Sequence, residues 1–172
     1  MENQTFQIIN AQSNIDWVGK KVTGAHNGTI AIKDGHLTVN GNQLTGGQFV
    51  VDTTSIKILD IADLATNAQF LGHLVSDDFF STEKYPEASL VITGVSGDQI
   101  NGNLTIKGIT HPVSFAAVIS VNADLLTATG KLIVDRTRYE MRFRSGNFFK
   151  DLGDTLIYND FELTVTLTAK AA

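Results

Sequence analysis

The chain has 172 residues, and 18 acidic against 13 basic side chains leave a formal charge of −5. That balance disfavours nucleic acid as a partner, because such affinity rests largely on Lys and Arg neutralising phosphates. The absence of cysteine removes disulfides, thiolate nucleophiles and zinc–thiolate sites. With 42% hydrophobic and 18% charged residues, the composition is that of a globular chain, expected to form one domain over residues 1–172.

Met1 to Ile15 carries no basic segment followed by an apolar one, and no run approaches the roughly 18 apolar residues of a membrane span. The chain is therefore expected not to span a membrane. It reads as cytoplasmic as written, and as periplasmic if a signal peptide has been removed.

From Gln4 to Val51, short β-type runs alternate with Gly and Asn: Phe6 to Ile9, Ile15 to Val22, Thr29 to Lys33, Leu37 to Val39, then Phe49 to Ile58. Asp34-Gly35 and Asn40-Gly41 stand between such runs and are predicted to close hairpins. Between Leu59 and Phe80 the period of two breaks. Phe70, Leu71, Leu74 and Val75 then take the spacing of one helical face, which predicts a short helix packed against the strands.

Strands resume after Pro86, at Ala88 to Val95 and Gln99 to Lys107. Two later runs alternate strictly: Val113, Phe115, Ala117, Ile119 and Val121, then Phe161, Leu163, Val165, Leu167 and Ala169. Such alternation predicts strands with one apolar interior face. About eight strands joined mostly by short turns predict an all-β, up-and-down antiparallel barrel with one helical insertion near residues 60–80. A sandwich is the structural alternative. An eight-stranded barrel is wide enough either to be filled by side chains or to hold one small ligand.

All four arginines fall between positions 136 and 144, and residues 131–150 hold six basic against two acidic side chains. On an extended strand, Arg136, Arg138, Glu140, Arg142 and Arg144 would share one face, opposite Tyr139, Met141 and Phe143. One reading is a solvated outer face. The other places one or two guanidiniums at a barrel mouth, where their donors suit a polar or anionic head group. Arg136 is the candidate because it shares the parity of Leu132 and Val134; a bulge at Asp135 would reverse the faces. The four histidines have no metal-ligand spacing, Asp77-Asp78 and Glu83 specify no acid–base pair, and no phosphate loop or nucleophile elbow is present. No metal or catalytic residue is assigned.

Four blocks carry a family resemblance. They are Trp17 to Gly24 with His26 to Ile30; His73 to Phe80 with Lys84-Tyr85-Pro86; Gly102 to Val113; and Asp135 to Tyr139. In these the chain resembles the YceI-like family, lipocalin-like polyisoprenoid-binding proteins of bacteria. It departs from the family pattern at Val75, His111 and Glu140. The resemblance implies an extended antiparallel barrel, often dimeric, that binds an isoprenoid chain such as a quinone tail or prenyl diphosphate and has no catalytic residues. The expected partners are thus an apolar lipid and a second copy of the chain, with no resident cofactor other than a bound isoprenoid or quinone.

Each buried methylene contributes about 0.8 kcal/mol, so an apolar tube can hold such a chain without specific contacts. The expected ligand-binding residues are Trp17, Leu74, Phe79, Leu104, Ile106, Val113, Phe115, Ala117, Ile119, Leu132, Val134, Arg136, Leu163, Val165 and Leu167. A barrel with a filled core, acting as an interaction or stress-response module, and an unrecognised enzyme are the competing readings.

Overall fold

The computed structural model describes residues 3–22, 24–143, 145 and 157–172. Among these, nine antiparallel strands form one sheet: β1 (Asn3–Ile8), β2 (Asn14–Lys21), β3 (Gly24–Asn40), β4 (Gln43–Ile58), β5 (Glu87–Ser96), β6 (Gln99–Ile106), β7 (Ile109–Asn122), β8 (Leu125–Asp135) and β9 (Ile157–Ala171). The order β3-β2-β9-β8-β7-β6-β5-β4 closes on itself through the β3–β4 pairing. Closure excludes the sandwich.

Strands β1 and β2 share one position in the wall. Both pair with β3 and β9, β1 along residues 36–40 and 169–171, and β2 along residues 24–30 and 157–166. A 3₁₀ turn at Asn10–Gln12 separates them. The barrel therefore has eight staves, one of them broken, in agreement with the count expected from the sequence.

The alternating runs set the inward face. In β7, Phe115 and Ala117 are buried and Val113 and Ile119 half-buried, whereas Ser114, Ala116 and Val118 are exposed. In β9, Leu163, Val165, Leu167 and Ala169 are all buried. A one-residue slip would invert both sets, so the apolar pattern pins the register.

The two predicted hairpins come out differently. Asn40↔Gln43 closes a two-residue turn in which Gly41 and Asn42 have φ of 58° and 66°, the left-handed pair that such a turn requires. Asp34-Gly35 is instead continuous strand, a correction to the sequence reading. The register slips by one residue between Ile32 and Asp34, so this is a bulge. Glycine is needed there for close approach: a Cβ on Gly35 would lie 2.5 Å from that of Phe49 and 2.7 Å from the Gln48 carbonyl oxygen.

The helix α1 (Leu64–Leu74) falls in the predicted insertion and starts where the Asp63 carboxylate accepts from the Thr66 N–H at 2.9 Å. Phe70, Leu71 and Leu74 are half-buried against the core. A looped return follows, held by Phe80 N–H to Leu74 oxygen at 3.0 Å and Ser81 N–H to Ser76 oxygen at 2.8 Å. It turns Phe79 inward. No described helix is long and apolar enough to cross a membrane.

Candidate functional site

A cavity of about 110 Å³ opens beneath α1, at the end of the barrel where β2 finishes and β3 and β9 begin. Trp17, Ile30, Ile56 and Leu163 supply its barrel wall, Phe70, Leu74, Phe79 and Phe80 its cover, and Lys20, Lys21 and Asp160 part of its rim. Two smaller cavities, of about 50 and 30 Å³, continue inward. The first and second share Ile30, Phe80, Phe161 and Leu163 in their walls; the second and third share Phe49, Leu90, Phe115 and Val165. The three form a row down the barrel interior, partitioned by side chains. The Phe80 and Phe161 rings, 6.2 Å apart edge to face, stand in the first partition.

Two histidines on the first cavity's wall are held in place. His26 Nδ1 lies 2.8 Å from Asp60 Oδ2, and its ring packs on Phe70 at 4.9 Å. Since His26 is on β3 and Phe70 on α1, this pair fastens the cover to the barrel. Burial pushes the Asp60 carboxyl up, but the hydrogen bonds from His26 and the Asn27 N–H outweigh it and hold the group below its ordinary value. His73 Nε2 lies 2.9 Å from Asp78 Oδ2, with its ring edge-on to Phe79 and Phe143.

The arginine segment departs from the expected strand. β8 stops at Asp135, whose carboxylate accepts from the Thr137 N–H at 3.0 Å and from its hydroxyl at 2.6 Å, and residues Arg136–Tyr139 form a 3₁₀ turn. Glu140 ends the turn with φ 62°. The five charged positions therefore do not share one extended face. Arg138 lies against His111, Nη2 to Nδ1 at 3.2 Å, and Arg142 pairs with Glu140 at 3.2 Å, both on the exposed side. Arg144 lies outside the described residues.

Arg136 does point inward with Leu132 and Val134, and no register slip intervenes at Asp135. It is 3% exposed, lines the first cavity, and sits 5.6 Å from the Phe79 ring centroid. Its donors, however, go to the backbone: Nε to Tyr158 oxygen at 3.0 Å, Nη2 to Ile157 oxygen at 3.0 Å, and Nη1 to Met141 oxygen. Burial pushes the guanidinium down to about 10, with Asp135 partly opposing, so it stays charged at neutral pH.

Of the other expected residues, Trp17, Leu74 and Phe79 line the first cavity, Leu104, Ile106 and Leu132 the second, and Ala117 and Leu167 the third. Leu163 lines the first two cavities, and Phe115 and Val165 the inner two. Val113, Ile119 and Val134 line none of the three. Val113 and Ile119 lie toward the ends of β7, and Val134 is packed away in the core. Phe80 and Phe161 were missed as lining residues. The second could have been found, since it has the parity of Leu163 and Val165. Trp17 Nε1 is buried and has no hydrogen-bond partner among the described residues.

The YceI-like domain pattern matches residues 6–169. The chain belongs to the YceI-like domain family. It is 34% identical over 99 residues to a UPF0312 protein of Pseudomonas putida, covering 54% of this chain and 48% of that protein. It is also 41% identical over 78 residues to Protein YceI of Escherichia coli, covering 43% and 37%. The matches thus span about half or less of the length of these relatives.

Two solved structures share the fold across nearly the whole chain. BcnA of Burkholderia cenocepacia superposes with a TM-score of 0.71 at 20% identity, covering 95% of this chain and 99% of that one. A polyisoprenoid binding domain from Saccharophagus degradans, implicated in plant cell wall breakdown, gives 0.70 at 14% identity, covering 98% and 99%.

Proposed function

We propose that this YceI-like barrel binds a long, chain-shaped apolar lipid of the isoprenoid type, and does so without catalysis. The observation that carries the reading is the row of three cavities. A chain-shaped ligand suits a row of narrow voids with apolar walls, whereas a compact one would need a single wide chamber. The polyisoprenoid-binding domain from Saccharophagus degradans, with the same fold, supports this choice of ligand. Binding would open the partitions by turning side chains such as Phe80, and each methylene covered would contribute about 0.8 kcal/mol. In this reading Arg136 shapes the mouth by tying Met141 to the start of β9, rather than gripping a head group.

Trp17, the chain's only tryptophan, stands on the first cavity's wall and reports on occupancy directly. Purified protein is extracted with organic solvent and the extract analysed by mass spectrometry; delipidated protein is then titrated with farnesol and geranylgeraniol while Trp17 emission is followed. Co-extracted prenyl lipid and a saturable emission change are expected. No lipid and no saturable change would favour the filled-core interaction module.

A further inference from the structure

We propose that Phe115 sets the length of lipid chain this barrel accepts, the innermost cavity being the seat of the chain's far end; the proposal rests on the lipid-binding reading above. The innermost cavity shares no lining residue with the first. Beyond it the barrel is filled, with Phe6, Leu126 and Ala169 entirely buried. A chain entering beneath α1 can therefore advance only as far as the partition between the second and third cavities allows.

Besides Phe49, Phe115 is the aromatic member of that partition. It lines both inner cavities, and it faces Gly130 on β8. A Cβ on Gly130 would come within 2.9 Å of the Phe115 ring and 3.2 Å of the Ala117 Cβ, so the ring occupies space that any side chain at position 130 would claim. Past the ring, the third cavity exists because Ala117, Ala128 and Gly130 line it where larger residues would fill it. Small residues beyond a bulky ring make a chamber that only a longer chain, or a smaller residue at 115, would reach.

The test is a competition between farnesol and geranylgeraniol at equal concentration, with bound species read by native mass spectrometry. Wild type is compared with Phe115→Leu, which lowers the partition, and Ala128→Leu, which fills the chamber from its far wall. Relative to wild type, Phe115→Leu is expected to shift the bound ratio toward geranylgeraniol by on the order of tenfold, the gain from covering about two further methylenes. Ala128→Leu is expected to shift it toward farnesol. Trp17 emission, from the opposite end of the row, verifies the fold of each variant, and either folded variant suffices for the test. An unchanged ratio in a folded variant, with both alcohols still bound, overturns the role of Phe115 and leaves lipid binding standing. Failure of wild type to bind either alcohol overturns both.

Discussion

Arg136 offers the sharpest separation between a residue that builds the mouth and one that serves a ligand. Its guanidinium donates to the backbone carbonyls of Tyr158, Ile157 and Met141, and so joins the first residues of β9 to the segment after the 3₁₀ turn. A hydrogen bond from a charged donor contributes roughly 1.5–3 kcal/mol, and a buried acceptor left without one costs about 1–3 kcal/mol. Because the three bonds act as a unit, Arg136→Met is expected to destabilise the fold by about 3–5 kcal/mol, less than their sum. A lysine ammonium cannot reproduce the planar fork that reaches separated oxygens, so Arg136→Lys should still cost about 2–4 kcal/mol. With a urea m-value of about 2 kcal/mol/M, these losses lower the unfolding midpoint by about 1.5–2.5 M for the methionine variant and about 1–2 M for the lysine variant, read on Trp17 emission. Farnesyl diphosphate and farnesol should weaken alike in the lysine variant. An unchanged midpoint, together with a selective loss of diphosphate affinity, would refute the structural assignment and return Arg136 to the ligand.

Three further outcomes follow from contacts elsewhere. Gly28→Ala should destabilise strongly, since its Cβ would fall 1.7 Å from the Lys57 carbonyl oxygen and 2.7 Å from the Trp17 ring; Gly72→Ala, in α1 with nothing within 4 Å, should raise stability by about 0.5–1 kcal/mol. Thermal unfolding of the pair checks both. Burial raises the Tyr139 phenol, with Arg138 partly opposing, so the native state retains a proton that the unfolded chain loses above about pH 10. Stability should fall as pH rises through that range, and Tyr139→Phe should flatten the fall. The lowered Asp60 carboxyl works in the opposite direction: its contribution is present above the ordinary value of 3.8 and lost as pH falls through the depressed native value. The protection of α1 amides, taken relative to their intrinsic exchange rate at each pH, should therefore fall in acid, and Asp60→Asn should show that lower protection already at neutral pH.

The barrel was legible in the sequence wherever one physical constraint acted alone. Strict alternation in β7 and β9 reports a single buried face, and Asn40-Gly41 reports a turn with two left-handed residues. Legibility failed where two constraints produce the same letters. Asp34-Gly35 resembles a hairpin turn because glycine also serves where two strands and the Ile8 side chain crowd one point, and no local pattern distinguishes the two uses. Residues 138–143 alternate charged with apolar side chains as a strand would, yet the chain leaves β8 in a 3₁₀ turn over Arg136–Tyr139, begun by the Asp135 carboxylate and ended by the left-handed Glu140. Arg136 nevertheless follows the inward parity of Leu132 and Val134, because that parity depends only on β8 up to its last residue. What parity could not supply was the destination of the guanidinium, since Tyr158 and Ile157 come from more than twenty residues along the chain. The partitions were hidden for a related reason. Phe80, Phe161 and Phe115 read as core aromatics one at a time, and only their meeting across the interior divides one apolar space into three. In a closed barrel, then, strand patterning decides which residues face inward, while the choice of bulky against small residues at facing positions decides how far inward a ligand can go.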